Sequence, residues 1–106
     1  MTLQDYYEFL ATHGIPKSPN NNGEITLARD DALTAIAILK DSVTGVFGGD
    51  VYELENGEHY HLGDTWYTEK SDNNFIAASL NKSHHFIQSY SEPGGIKVRY
   101  ALIIDD

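Results

Sequence analysis

Asn56-Gly57 sits inside a run, GVFGGDVYELENGEHYHLGDTWY over residues 45–67, that alternates with a period of two. An Asn-Gly pair between alternating segments marks a β-hairpin, because both residues accept the positive φ that a tight turn between twisted strands needs. Two registers compete. A strict two-residue loop sets Glu55 opposite Glu58, and like charges directly opposed cost a few tenths to ~1 kcal/mol. A three-residue loop over Asn56, Gly57 and Glu58 avoids this. It predicts Tyr52 facing Leu62 and Leu54 facing Tyr60 on the buried side, with Glu53 facing His61 and Glu55 facing His59 on the other. The second register is the one expected here, and a slip of one residue would turn every side chain over. Gly48-Gly49 interrupts the first strand, where a bulge or a close backbone approach is expected.

The rest of the chain reads as helices and strands around this ribbon. Thr2 caps a helix over Leu3 to His13, with Leu3, Tyr6, Tyr7 and Leu10 forming one apolar stripe. Gly14 ends it, Pro16 and Pro19 prevent its continuation, and Lys17 to Gly23 reads as an exposed loop. A second helix is expected from about Ala28 to Lys40, with Ala32, Leu33, Ile36 and Leu39 inward. After the hairpin, Gly63-Asp64 predicts a turn and Thr65 to Glu69 a third strand. Ser71 or Asp72 is expected to cap a long helix reaching about Ser91. Its inner face carries Ile76, Leu80, Ser83, Ile87 and Tyr90, with Phe75 and Phe86 beside them. Pro93-Gly94-Gly95 breaks that helix, and Ile96 to Ile104 is the last strand, apolar on both faces near its end and so central in the sheet. The expected fold is α+β: an antiparallel sheet of about four strands with three helices, in the order α-α-β-β-β-α-β, as a single domain over residues 1–106.

Charge is the second constraint. The chain carries 16 acidic and 7 basic side chains, a formal net charge of −9. From Asp41 to Glu69 there are seven carboxylates and no Lys or Arg, so this one run holds most of the excess. Such acidity argues against nucleic acid and anionic membrane surfaces as partners, and favours a basic protein partner or simple solubility. The chain has no cysteine, which excludes disulfides, thiolate metal sites and a cysteine nucleophile. Neither a signal peptide nor a membrane span is visible, and a cytoplasmic location is expected.

Catalytic motifs are sparse. No GxSxG and no phosphate-binding glycine loop is present, so no catalytic residue is assigned. His59 and His61 lie two apart on a strand and share a face; with Glu53 and Glu55 they offer a divalent-metal site and, as the alternative reading, a metal-dependent hydrolase. An exposed polar ladder explains the same spacing, and no metal or other cofactor is assigned. His84 and His85 are adjacent on a helix and point apart. Trp66, Tyr67, Tyr52 and Tyr60 are core aromatics on one reading. On the other, Trp66 or Tyr67 stays exposed as an interface anchor.

ILKDSVTGVFGGDVYELENGEHYHLGDTWY, followed by a Ser-led helix and a closing apolar strand, resembles the immunity protein 40 family of bacterial polymorphic toxin systems. Gly48, Gly49, Asp50, Val51 and Tyr52, the Trp66-Tyr67 pair and the helix end Phe86 to Tyr90 carry the likeness, over about Ala32 to Ile104. The resemblance implies a small cytoplasmic α+β protein that binds and neutralises the catalytic domain of a cognate toxin. Toxin domains of such systems are often nucleases, usually basic, which agrees with the acid excess. The expected toxin-binding residues are Asp50, Glu53, Glu55, Glu58, Asp64, Trp66 and Tyr67. Pairing through an exposed sheet edge, as a homodimer, is a further expectation.

Overall fold

The computed structural model describes residues 1–17, 23–70 and 73–106. The expected helix cap at Ser71 or Asp72, and all but the ends of the loop from Lys17 to Gly23, lie outside the described residues. Three helices, α1 (Leu3–His13), α2 (Arg29–Asp41) and α3 (Phe75–Ser89), accompany five strands. The strands are β1 (Ile15–Pro16), β2 (Ile25–Leu27), β3 (Val46–Glu55), β4 (Glu58–Tyr67) and β5 (Lys97–Ile104), in one antiparallel sheet of order β1-β2-β5-β3-β4.

The α+β class, the three helices and the antiparallel sheet are as the sequence predicts, and β5 is the middle strand. The strand count is corrected from about four to five. Two short strands between α1 and α2 were not anticipated, since two or three residues are too few to show a period of two. In the opposite sense, the expected turn at Gly63-Asp64 is absent: β4 runs on through both residues, and the strand expected over Thr65 to Glu69 is its last part, ending at Tyr67.

Helix α1 starts where Thr2 and Asp5 form a reciprocal capping box. Helix α2 turns Ala32, Ala35, Ile36, Ile38 and Leu39 inward. On α3 the buried set is Phe75, Ser79, Leu80, Ser83 and Ile87, while Ile76, expected inward, is exposed. These stripes pack on one face of the sheet, where Leu27, Val51, Val98 and Tyr100 are buried beneath them. Arg29, at the start of α2, ties the layer together: its guanidinium donates to the Ile87 and Tyr90 carbonyls at the end of α3. Those carbonyls have no partner within the helix, and a cation there also complements the helix dipole.

Candidate functional site

The β3–β4 ribbon turns through Asn56 (φ 54°) and Gly57 (φ 81°), and Glu55 pairs directly with Glu58. The loop therefore has two residues, and the expected three-residue register is corrected. Leu54 pairs with His59, Glu53 with Tyr60 and Tyr52 with His61. Two residues with positive φ match the twist of the flanking strands, and that preference outweighs the repulsion of two solvent-exposed glutamates.

This register sorts the side chains onto two faces. On the face toward the helices lie Val51, Glu53 and Glu55 of β3, opposite Glu58 and Tyr60 of β4. On the far face lie Asp50, Tyr52 and Leu54 with His59 and His61. Between the pairs Asp50–Thr65 and Tyr52–His61, three residues of β4 (Leu62, Gly63 and Asp64) stand opposite Val51 alone. Gly63 accommodates this bulge with φ 88°. The offset is even, so β4 keeps its alternation across it.

The seven expected contact residues are not equivalent. Glu53, Glu55 and Glu58 cluster at the tip, and none has an ion pair among the described residues. Tyr60 beside them is half exposed and donates its hydroxyl to Glu58 at 2.8 Å, which raises the Tyr60 pKa. Asp64 accepts from the hydroxyl of Tyr90, just past the end of α3, at 2.5 Å, and this bond, with burial, pushes the phenol up to about 12. Asp50 lies on the far face, 3.1 Å from His61 Nε2, and so stands apart from the glutamates. Tyr67 is 59% exposed.

Trp66 is 6% exposed and belongs to the core. Its indole N–H donates to Ser83 Oγ at 2.8 Å, and its ring stacks on Phe86 with 4.6 Å between centroids. Gly49 lies directly beneath: a Cβ there would come within 2.4 Å of the indole and 2.3 Å of the Ala101 carbonyl oxygen. The close approach expected at the Gly-Gly pair is thus a seat for the tryptophan. Ser83 carried the only sequence signal for this contact, a hydroxyl within an apolar helical stripe.

The histidines share the far face but are separated from Glu53 and Glu55 by the sheet itself. His61 uses both ring nitrogens, Nε2 toward Asp50 and Nδ1 as acceptor from the Gly63 N–H at 2.8 Å. His59 Nε2 lies 2.7 Å from Thr26 Oγ1 of β2, although β5 and β3 intervene in strand order. The sheet is therefore strongly coiled, bringing the ribbon back over β2. His59 Nδ1 is buried without a hydrogen-bond partner in good geometry among the described residues. Burial lowers the His59 pKa, aided by the nearby charges of Arg99 and Lys17 and opposed by the Lys17 backbone. Among the described residues no group of three or more His, Asp or Glu side chains is arranged to hold a metal ion.

A polar network missed by sequence reasoning fills the same coil. Arg99 donates to the Thr26 carbonyl at 2.8 Å, the Tyr52 hydroxyl donates to Glu24 at 3.0 Å, and the Lys17 ammonium lies over the Tyr52 ring. These partners are 28 to 73 residues apart in the chain, so no local pattern announces them.

Together these features define a small α+β protein that presents a carboxylate-rich ribbon tip beside a coiled sheet. The chain belongs to the immunity protein 40 family, whose model matches residues 10–104, extending the likeness back to the last turn of α1. No curated protein and no solved structure matches it. Family membership supports an immunity-protein role, and no helix among the described residues is long and apolar enough to cross a membrane.

Proposed function

We propose that this protein acts in the cytoplasm as an immunity protein that neutralises a basic toxin domain, a nuclease being the best-fitting kind, by docking it against the tip of the β3–β4 ribbon. The carrying observation is the unneutralised cluster of Glu53, Glu55 and Glu58 on one face, inside a run of the chain that has no base. Field from these groups extends about one Debye length, ~8 Å at physiological salt, so it steers a cationic surface before contact. Tyr60 supplies exposed aromatic area at the tip itself, while the exposed Tyr67 lies at the other end of β4 on the far face. Asp64 lies on the same face as the glutamates, engaged by Tyr90, whereas Asp50 lies on the far face, engaged by His61. Trp66 contributes by holding β4 in place. The role is recognition rather than catalysis, and it needs no cofactor.

The test is capture of the toxin domain encoded beside this chain, measured over a range of salt concentrations. Association is expected to slow steeply with salt, and to weaken by ~10-fold or more when Glu53→Lys and Glu55→Lys are combined. Binding that ignores both salt and the double substitution would eliminate the ribbon tip as the contact.

A further inference from the structure

Strand β4 forms one border of the sheet, and no described residue pairs with its outer edge. It is ten residues long, whereas the opposite border, β1, has two. The direction of its backbone groups follows from the ladder. The two-residue loop makes Glu55–Glu58 a hydrogen-bonded pair, and alternation then turns the N–H and C=O of His61 outward. At the other end the Thr68 N–H donates to the Phe47 carbonyl at 2.9 Å, which fixes Thr68 inward and Thr65 and Tyr67 outward. The Tyr67 carbonyl does point out, since Lys82 of α3 reaches it. From Tyr60 to Tyr67 every residue is exposed except Leu62, half-buried, and Trp66, buried.

Exposed edges of this length are commonly guarded by lysine or proline. Strand β4 has neither and carries Glu58 and Asp64 instead, on a chain of net charge −9. A second copy laid along this edge would bring two such acidic ribbons together, which charge opposes. A strand rich in Lys or Arg would meet Glu58 and Asp64 on the helix face, and Tyr67 and His61 on the other.

We propose that the outer edge of β4, between His61 and Tyr67, is completed by an extended basic segment of the partner, added to the sheet as a sixth strand. This rests on the acidic-tip reading and specifies how the partner engages: backbone hydrogen bonds supply affinity and alternate basic side chains supply selectivity. Gly63 divides the edge, and its N–H is already taken by His61. The outward N–H and C=O of His61 and Thr65 and the N–H of Tyr67 are therefore the pairing points, the Tyr67 carbonyl being held by Lys82.

The probe is a synthetic peptide of about nine residues alternating lysine with valine, long enough to span the edge at ~3.3 Å per residue. Its controls carry either N-methyl groups on alternate amides or glutamate in place of lysine. The parent peptide is expected to bind at low salt and to slow amide exchange at His61, Thr65 and Tyr67 by ~10-fold or more, with N-methylation abolishing both effects. Thr65→Pro removes one outward donor while leaving the β3 ladder intact, and is expected to weaken the peptide by a similar factor. Equal binding of the N-methylated peptide would overturn the added strand while leaving the acidic tip as a contact. Equal binding of the glutamate peptide would overturn the basic partner, and the proposed function with it. Failure of the parent peptide to bind would overturn the strand alone, because salt-dependent toxin capture tests the tip separately. Self-association of the free chain with protection of the same amides would assign the edge to a second copy and also overturn the proposal.

Discussion

The two halves of the β3–β4 ribbon are made of the same two strands and do opposite things. The proximal half, from Val46 to Asp50 with Thr65 to Tyr67, is riveted to α3. Ser79 Oγ accepts from the Val46 N–H at 3.0 Å, Ser83 holds the Trp66 indole, and Gly49 leaves room for its ring. The distal half, from Glu53 to Tyr60, carries three carboxylates without ion pairs among the described residues and touches β2 through His59. One half spends its side chains on internal satisfaction, and the other leaves them available. Acid in a strand therefore means little until its position relative to the clamp is known.

The sharpest way to break this contrast is Trp66→Ala, expected to cost about 3–5 kcal/mol in denaturant unfolding, as for other buried aromatics, without a direct effect on partner contacts. Gly49→Ala drives a methyl group into the indole and the Ala101 carbonyl, and should cost about 3 kcal/mol, the upper range for overpacking. Ser83→Ala strands the buried Trp66 N–H and is expected to cost about 1–2 kcal/mol by the same measurement. Acid acts next, through the distal tie. Because burial lowers the His59 pKa, the folded state binds fewer protons there than the unfolded chain does. Its contribution is complete above the unfolded pKa of about 6.5 and is lost as pH falls below that toward the lower native value. The unfolding midpoint should drop over that window, and His59→Gln should flatten the drop. At the tip, Glu53→Lys with Glu55→Lys is expected to leave stability within about 0.5 kcal/mol while damaging association. A large stability change there would erase the distinction between the two halves.

Helical stripes and caps were legible in the sequence because each is a local pattern. The span of α1 and its Thr2 cap follow from spacing alone, and on α2 Ala32, Ile36 and Leu39 turn inward as expected, while Leu33 is half-buried and Ala35 and Ile38 join the buried set. On α3 the stripe was displaced at one end: Phe75 faces in and Ile76 out, since both are apolar and spacing could not choose between them. The ribbon was legible as a hairpin but not in its register. The turn geometry of Asn56-Gly57 outweighs the repulsion between Glu55 and Glu58, the reverse of what charge alone predicts. Only the three-residue register would set His59 and His61 on the glutamate face, and the metal reading depends on it. Strands β1 and β2 were invisible for a different reason, because their stability comes from pairing, β1 with β2 and β2 with β5, and not from their own composition.

The bulge at Gly63 has a consequence for how such a protein diversifies. It sets three residues against one, an even surplus, so the inside-outside assignment of the strand is preserved on both sides of it. The glutamates at the tip, Glu53, Glu55 and Glu58, can be exchanged without disturbing the seat of the tryptophan, whereas His59 and Tyr52 are tied to Thr26 and Glu24. A lineage pursuing an opponent whose surface keeps changing would have a replaceable fingertip on an unaltered hand.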